Sequence, residues 1–224
     1  VTVLLVVAKA PVPGRVKTRL CPPATPVQAA QLAAAALRDT LDAVRDTPGV
    51  TPVLALAGRL ADAEDAADLT AAVAGWPVLP QRGVDFAARL ANAHGDVADA
   101  FPGRRVLQIG MDTPQLTPAR LSAAVRRLAD AEAVLGQAAD GGWWGLGLRD
   151  PRQAVALRGV PMSTPRTGRS TWSALTGRGL RTMPLPVLRD VDDWSDARAV
   201  AVATPGGRFA RQVAAVRRAM VVRA

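Results

Sequence analysis

The sequence contains no tyrosine, three phenylalanines and five tryptophans in 224 residues, so its core must be built from aliphatic side chains. A single cysteine, Cys21, excludes an internal disulfide framework and a cysteine-based zinc cluster. The lone histidine, His94, argues against a histidine metal site or a Ser-His-Asp triad. Both residues read as structural. Lys9 and Lys17 are the only lysines in an arginine-rich, alanine-rich chain, a bias expected of a GC-rich coding sequence, so arginine number alone supports nothing. No apolar run approaches the roughly 18–20 residues that span a bilayer. No cationic segment precedes the first apolar run, so a secretory signal is not expected and a cytoplasmic location is.

Hydrophobic residues make up 49% of the chain, enough for one sizeable domain. The net charge of +9 is concentrated at two places. Lys9, Arg15, Lys17 and Arg19 lie in one acid-free segment, and Arg208, Arg211, Arg217, Arg218 and Arg223 in another. Setting those nine aside leaves nineteen cations against nineteen acids. A neutral body with two cationic ends is not the spread basic stripe of a nucleic-acid coat.

Strand and helix signals alternate along the chain. Thr2–Ala8 reads as a buried strand, 26–45 as a helix, 51–57 as a strand, 60–74 as a helix and 76–80 as a proline-flanked edge strand. An amphipathic helix over 84–100, a strand over 105–110 and a helix from Pro118, capped by Thr117, to 129 follow. Strands over 133–137 and after the Asp140 turn come next, then a helix over 166–178 and a strand over 180–186. The last helices are 195–203 and 207–222. This alternation predicts one α/β domain of three layers, a mostly parallel sheet with helices on both faces. The domain is expected to span 1–204, with 205–224 a basic helix packed on it or on a partner. Ligands of such sheets bind beyond the carboxyl ends of the strands.

Three segments sit at those ends. The first strand runs into Lys9–Ala10–Pro11–Val12–Pro13–Gly14–Arg15–Val16–Lys17–Thr18–Arg19, a stiff cationic turn suited to phosphate. It is neither a Walker A loop nor a G-x-G-x-x-G fingerprint. Gly110–Met111–Asp112–Thr113–Pro114 places an acid at a strand tip. That acid would hold a divalent cation against a diphosphate or, equally, cap the next turn. Asp190–Val191–Asp192–Asp193 puts three acids between a strand and a helix. Asp193 or Ser195 suits a helix cap, while Asp190 and Asp192 would point the same way on extended backbone. The glycines of Asp140–Gly141–Gly142–Trp143–Trp144–Gly145 permit either close approach to a ligand or a sharp turn. Trp143 and Trp144 should face opposite sides of their strand, with at most one at a pocket.

These motifs, in this order, resemble a bacterial glycosyltransferase-like family of the nucleotide-diphospho-sugar transferase (GT-A) superfamily. That family includes proteins linked to arsenosugar gene clusters and is similar to phospholactate guanylyltransferases. The resemblance spans about 2–200. It rests on the Ala8–Leu20 segment, Gln81–Leu90, Gly110–Pro114, Asp140–Trp144, Met162–Ser163–Thr164 and Asp190–Val191–Asp192. Met111 and Met162 stand where the family has a small residue and a tryptophan.

The resemblance implies roles. Asp112 and Asp192 would hold Mg²⁺, or Mn²⁺. Ala8, Lys9, Gly14, Arg15, Lys17, Arg19 and Gln81 would bind the nucleotide and its phosphates. Asp85, Arg89, Gly141, Gly142, Trp143, Ser163 and Thr164 would border the acceptor. Asp112, Lys17 and Asp140 would carry catalysis, Asp140 as base. The activity implied is glycosyl transfer from a nucleotide sugar to a small acceptor. Nucleotidyl transfer to a phosphorylated small molecule and non-catalytic nucleotide binding are the alternatives. No specific nucleic acid is expected as partner, and a homodimer is compatible with the basic helix.

Overall fold

The structure is a computed structural model in which residues 1–221 are described. Val222, where the sequence reading ends the last helix, and Arg223 lie outside the described residues. Seven strands form one sheet: β1 (Thr2–Lys9), β2 (Val50–Ala57), β3 (Val78–Pro80), β4 (Arg105–Gly110), β5 (Ala133–Ala138), β6 (Trp143–Leu148) and β7 (Thr182–Leu188). Their order is β3-β2-β1-β4-β6-β5-β7. Six run parallel, and β6 alone runs against β4 and β5. The expected mostly parallel sheet is therefore present, and the loops after β1, β4, β5 and β7 share one edge.

The period-2 pattern of β1 sorts its side chains. Leu4 and Val6 join Leu107 and Ile109 of β4 on one face, under α1 (Pro26–Arg45), α2 (Ala66–Ala72) and α4 (Pro118–Ala129). Val3, Leu5 and Val7 face the other way, under α3 (Phe86–Ala100) and α5 (Thr167–Gly177). Alanine-rich helices let these layers approach closely, which suits a chain short of rings. A third cluster joins Leu20 and Leu32 to α6 (Trp194–Ala203) and α7 (Arg208–Val221) through Val200, Phe209 and Val213. Asp39 of α1 accepts from the backbone N–H groups of Arg208 and Phe209 at 3.1 and 2.9 Å, so an α1 carboxylate holds the start of α7.

The expected helix over 60–74 is divided into a 3-10 turn, Leu60–Asp62, and α2. The break falls at Asp65, whose backbone is left-handed (φ 55°) and whose carboxylate pairs with Arg38. A 3-10 stretch, Pro151–Gly159, which periodicity does not announce, starts at Asp150, whose side chain accepts from Arg152 N–H.

His94 is fully buried, and its Nε2 donates to Gln108 Oε1 at 2.8 Å on neighbouring β4. Burial holds its pKa down to about 4, against the smaller opposing pull of Gln108. The unfolded chain therefore takes up this proton first. Stability should be full above pH 6.5 and fall as pH drops from 6.5 toward 4, by about 3 kcal/mol from this group. Urea denaturation of wild type and His94→Met at pH 7 and 4.5 should show a smaller acid loss in the variant.

Gly136 lies against Trp144, where an added Cβ would stand 2.3 Å from the indole. Gly136→Ala should cost about 1–3 kcal/mol in thermal or urea unfolding as Trp144 is forced off its place.

Candidate functional site

The shared edge is tied together before any ligand arrives. Val191 N donates to Asp112 O at 3.0 Å, and Gln115 Nε2 donates to Arg189 O at 2.5 Å, joining the loop after β4 to the loop after β7. Lys17 reaches into this junction from the β1 loop. Its ammonium sits 2.6 Å from Asp112 Oδ1 and 4.0 Å from Asp192 Oδ1, and donates to Val191 O. The two carboxylates are thus no further apart than those two distances together, although eighty positions separate them. Lys17 adopts left-handed backbone (φ 48°) at the start of the 3-10 turn Thr18–Leu20, and its side chain is only 12% exposed. Arg19 pairs with Asp192 Oδ2 at 3.2 Å.

Two cavities adjoin at this point. The smaller, about 280 Å³, is lined by Lys9, Arg15, Lys17, Arg19, Asp112 and Asp192, among others. The larger, about 640 Å³, carries Asp112, Asp140, Asp190 and Asp192. Its apolar wall includes Val7, Phe86, Leu90, Trp143 and Met162, and Ser163 and Thr164 add hydroxyls. Arg19, Asp112 and Asp192 border both.

The acids differ in what they already hold. Asp140 is exposed and accepts from Gly142 N at 2.8 Å, closing the turn before β6. Asp193 caps α6 through Asp196 N. Asp192 binds Arg19. Asp190 is half-buried, and its Oδ1 is buried with no hydrogen-bond partner. Burial first, then the charge of Asp140, pushes its carboxyl up to about 7, with Asp112 and Asp192 adding smaller pushes against a backbone hydrogen bond. Asp112 Oδ1 is likewise buried and meets Lys17 as an ion pair outside hydrogen-bond geometry.

These under-coordinated carboxylate oxygens are the hard donors that Mg²⁺ or Mn²⁺ prefers, and they fit such an ion. Among the described residues, however, no three His, Cys, Asp or Glu side chains are drawn together around a cation position. The Lys17 ammonium stands between Asp112 and Asp192 instead.

The remaining expected site residues divide. Lys9, Arg15, Gly142, Trp143, Ser163 and Thr164 line the cavities with those above. Gly14, with φ 74°, turns the cationic loop. Ala8 is buried, and its carbonyl accepts from Gln81 Nε2 at 2.8 Å. Gln81 Nε2 also reaches Ala55 O at 3.0 Å, so its amide braces β1 and β2 and lines neither cavity. Asp85 caps α3 by accepting from Ala88 N at 2.7 Å. Arg89 lies over the Phe86 ring, 5.6 Å from its centroid, does not line the cavity, and has a buried Nε without a hydrogen-bond partner. Gly141 serves close packing, since a Cβ there would stand 2.0 Å from Pro165 O.

Trp143 and Trp144 do face opposite cores, yet both border the larger cavity. The register shift between Gly136 and Gln137 disturbs the pleat beside them. Asp190, absent from the sequence-based site, was signalled by its alternation with Asp192. Gln108 also lines the cavity, its signal being a lone amide in an apolar strand.

Comparison with known proteins places the fold. A protein of Desulfovibrio desulfuricans G20, a proposed nucleotide-diphospho-sugar transferase, matches with TM-score 0.83 and 24% identity, over 97% of this chain and 94% of that one. Rv0371c of Mycobacterium tuberculosis H37Rv, solved with manganese, matches with TM-score 0.53 and 22% identity, over 89% and 98%. A cytidylyltransferase of Leptospira borgpetersenii matches with TM-score 0.55 and 13% identity, over 99% and 95%. No curated protein matches the sequence. The fold is therefore that of the nucleotide-diphospho-sugar transferases, in agreement with the sequence resemblance. A model of an uncharacterized protein family conserved in bacteria, DUF2064, matches residues 40–164. With more than half its length matched, the chain belongs to the DUF2064 family.

Proposed function

We propose that this chain is a divalent-metal-dependent transferase that moves a glycosyl group from a nucleotide diphosphate donor to a hydroxyl of a small acceptor. The observation that carries this reading is the meeting of Lys17, Asp112 and Asp192 at the seam between a cationic and an acidic cavity. The cationic cavity suits the donor's phosphates, with Lys9, Arg15 and Arg19 around them. Asp112 and Asp192 would hold Mg²⁺ or Mn²⁺. When bound, such an ion neutralises the departing diphosphate.

The chain's own residues do the rest. Lys17 leaves Asp112 for the phosphates and supplies charge as the bond to the sugar breaks. The acceptor oxygen attacks the anomeric carbon, the bond from that carbon to the diphosphate oxygen breaks, and the nucleoside diphosphate leaves. The hydroxyl proton passes to a carboxylate of the acidic cavity. Asp140 is the sequence-based choice for that base. Asp190 is better placed to act, because one Asp140 oxygen already holds the β6 turn while Asp190 keeps an oxygen without a partner.

Nucleotidyl transfer is the second reading, favoured by the cytidylyltransferase among the proteins of like fold. Incubation with UDP-glucose, GDP-mannose, GTP and CTP under Mg²⁺ and Mn²⁺ separates the two. Release of a nucleoside diphosphate marks glycosyl transfer, and release of pyrophosphate marks the alternative. A protein that gains no thermal stability from any of these ligands would defeat both.

Asp112→Ala should fold and lose the metal-dependent part of the nucleotide-induced thermal shift. An undiminished shift would remove Asp112 from the cation site. Lys17→Ala should weaken nucleotide binding by about 1.5–3 kcal/mol, the range for hydrogen bonds to charged groups, read by isothermal titration calorimetry.

A further inference from the structure

The two cavities are sorted by charge, and the sorting bears on the acceptor. The larger cavity has four carboxylates and one cation, Arg19, which is already paired with Asp192. A divalent ion held by Asp112 and Asp192 would leave the exposed Asp140 charged on the acceptor side, with the half-buried Asp190 on the same wall. Two helices start at this wall, α3 at Phe86, where Asp85 takes up Ala88 N, and α5 at Thr167, whose first N–H groups are engaged. Arg166 N donates to Thr164 Oγ1, Thr167 N to Thr164 O, and Gly168 N to Gly141 O. Thr164 N is likewise taken, by Thr167 Oγ1. The start of α5 is thus occupied, and the one cation among the described residues that line this cavity, Arg19, is already paired. What the wall does present is Phe86, Leu90, Trp143 and Met162 beside the hydroxyls of Ser163 and Thr164.

We propose that the larger cavity selects an uncharged, hydroxyl-bearing acceptor with an apolar body, and rejects phosphorylated ones. The inference rests on the transferase reading and narrows it. The carboxylates accept hydrogen bonds from acceptor hydroxyls, the apolar wall takes the body, and like charge repels a phosphate. A cavity of about 640 Å³ holds a ligand of aryl-glycoside size.

The test uses 4-nitrophenyl β-D-glucoside and its 6-phosphate, which share one body and differ only in charge. Binding to the full chain is measured by equilibrium dialysis, with Mg²⁺ and saturating inorganic pyrophosphate present to fill the cationic cavity. The neutral glucoside should bind at least tenfold more tightly. In the Asp140→Asn, Asp190→Asn double variant the gap should shrink below threefold. Equal or tighter binding of the phosphate by the wild type overturns the proposal, as does binding of neither glucoside or a gap the double variant leaves unchanged. Nucleotide-induced thermal shifts are recorded on the same samples. Their absence alongside an intact preference for the neutral glucoside would defeat the transferase reading and leave the charge selection standing.

Discussion

The ion pair between Lys17 and Asp112 is the contact that brings the β1 loop onto the strand-end junction. Three loops, from β1, β4 and β7, have no secondary structure in common, and a nearly buried ammonium joins them. Left-handed backbone at a lysine costs of order 1 kcal/mol or more, a strain that persists only where its surroundings enforce it. Here the enforcement is electrostatic. A charge withdrawn from water needs partners, and Lys17 finds two carboxylates and a carbonyl. In turn, the ammonium offsets the repulsion between Asp112 and Asp192 and lets them lie close to each other.

On the proposed reading, that arrangement would make Lys17 more than a phosphate ligand. The same carboxylate cannot fully engage an ammonium and a divalent cation in one place. A triphosphate or diphosphate entering the cationic cavity would offer Lys17 new oxygens, and its departure would uncover Asp112 and Asp192. Donor and cation would then help each other bind, since each removes a cost the other would face alone. The reciprocity needs no large movement, only the swing of one flexible side chain.

Much of this was legible in the chain. The β-branched start, the 10–15-residue helical spacings and the proline-flanked edge strand specify a parallel α/β sheet, because period and turn chemistry are local properties. The cationic loop, Asp112 and Asp192 were visible for the same reason: each follows directly on a strand. What sequence order hid was how the polar groups are shared out. Asp85 and Gln81 have the right types and spacing for ligand contacts, yet one caps α3 and the other braces two strands. Asp and Gln satisfy backbone groups as readily as ligands, and only packing decides which. Asp190 shows the converse. Its importance lies in an oxygen left without a partner, a property of the folded environment.

The fold is shared by sugar-nucleotide and cytidylyl transferases, so the strand ends alone do not select a reaction. The selection must come from which electrophile is exposed and which nucleophile is admitted. An acceptor phosphate is already a nucleophile and asks only for cations to bring it in. A neutral hydroxyl asks for the opposite, a carboxylate to take its proton and no cation to hold that carboxylate. The larger cavity supplies acids in excess and pairs its one arginine. On the proposed reading its charge argues for attack by a hydroxyl, and the local imbalance around Asp140 and Asp190 would be what separates glycosyl from nucleotidyl transfer on a common scaffold.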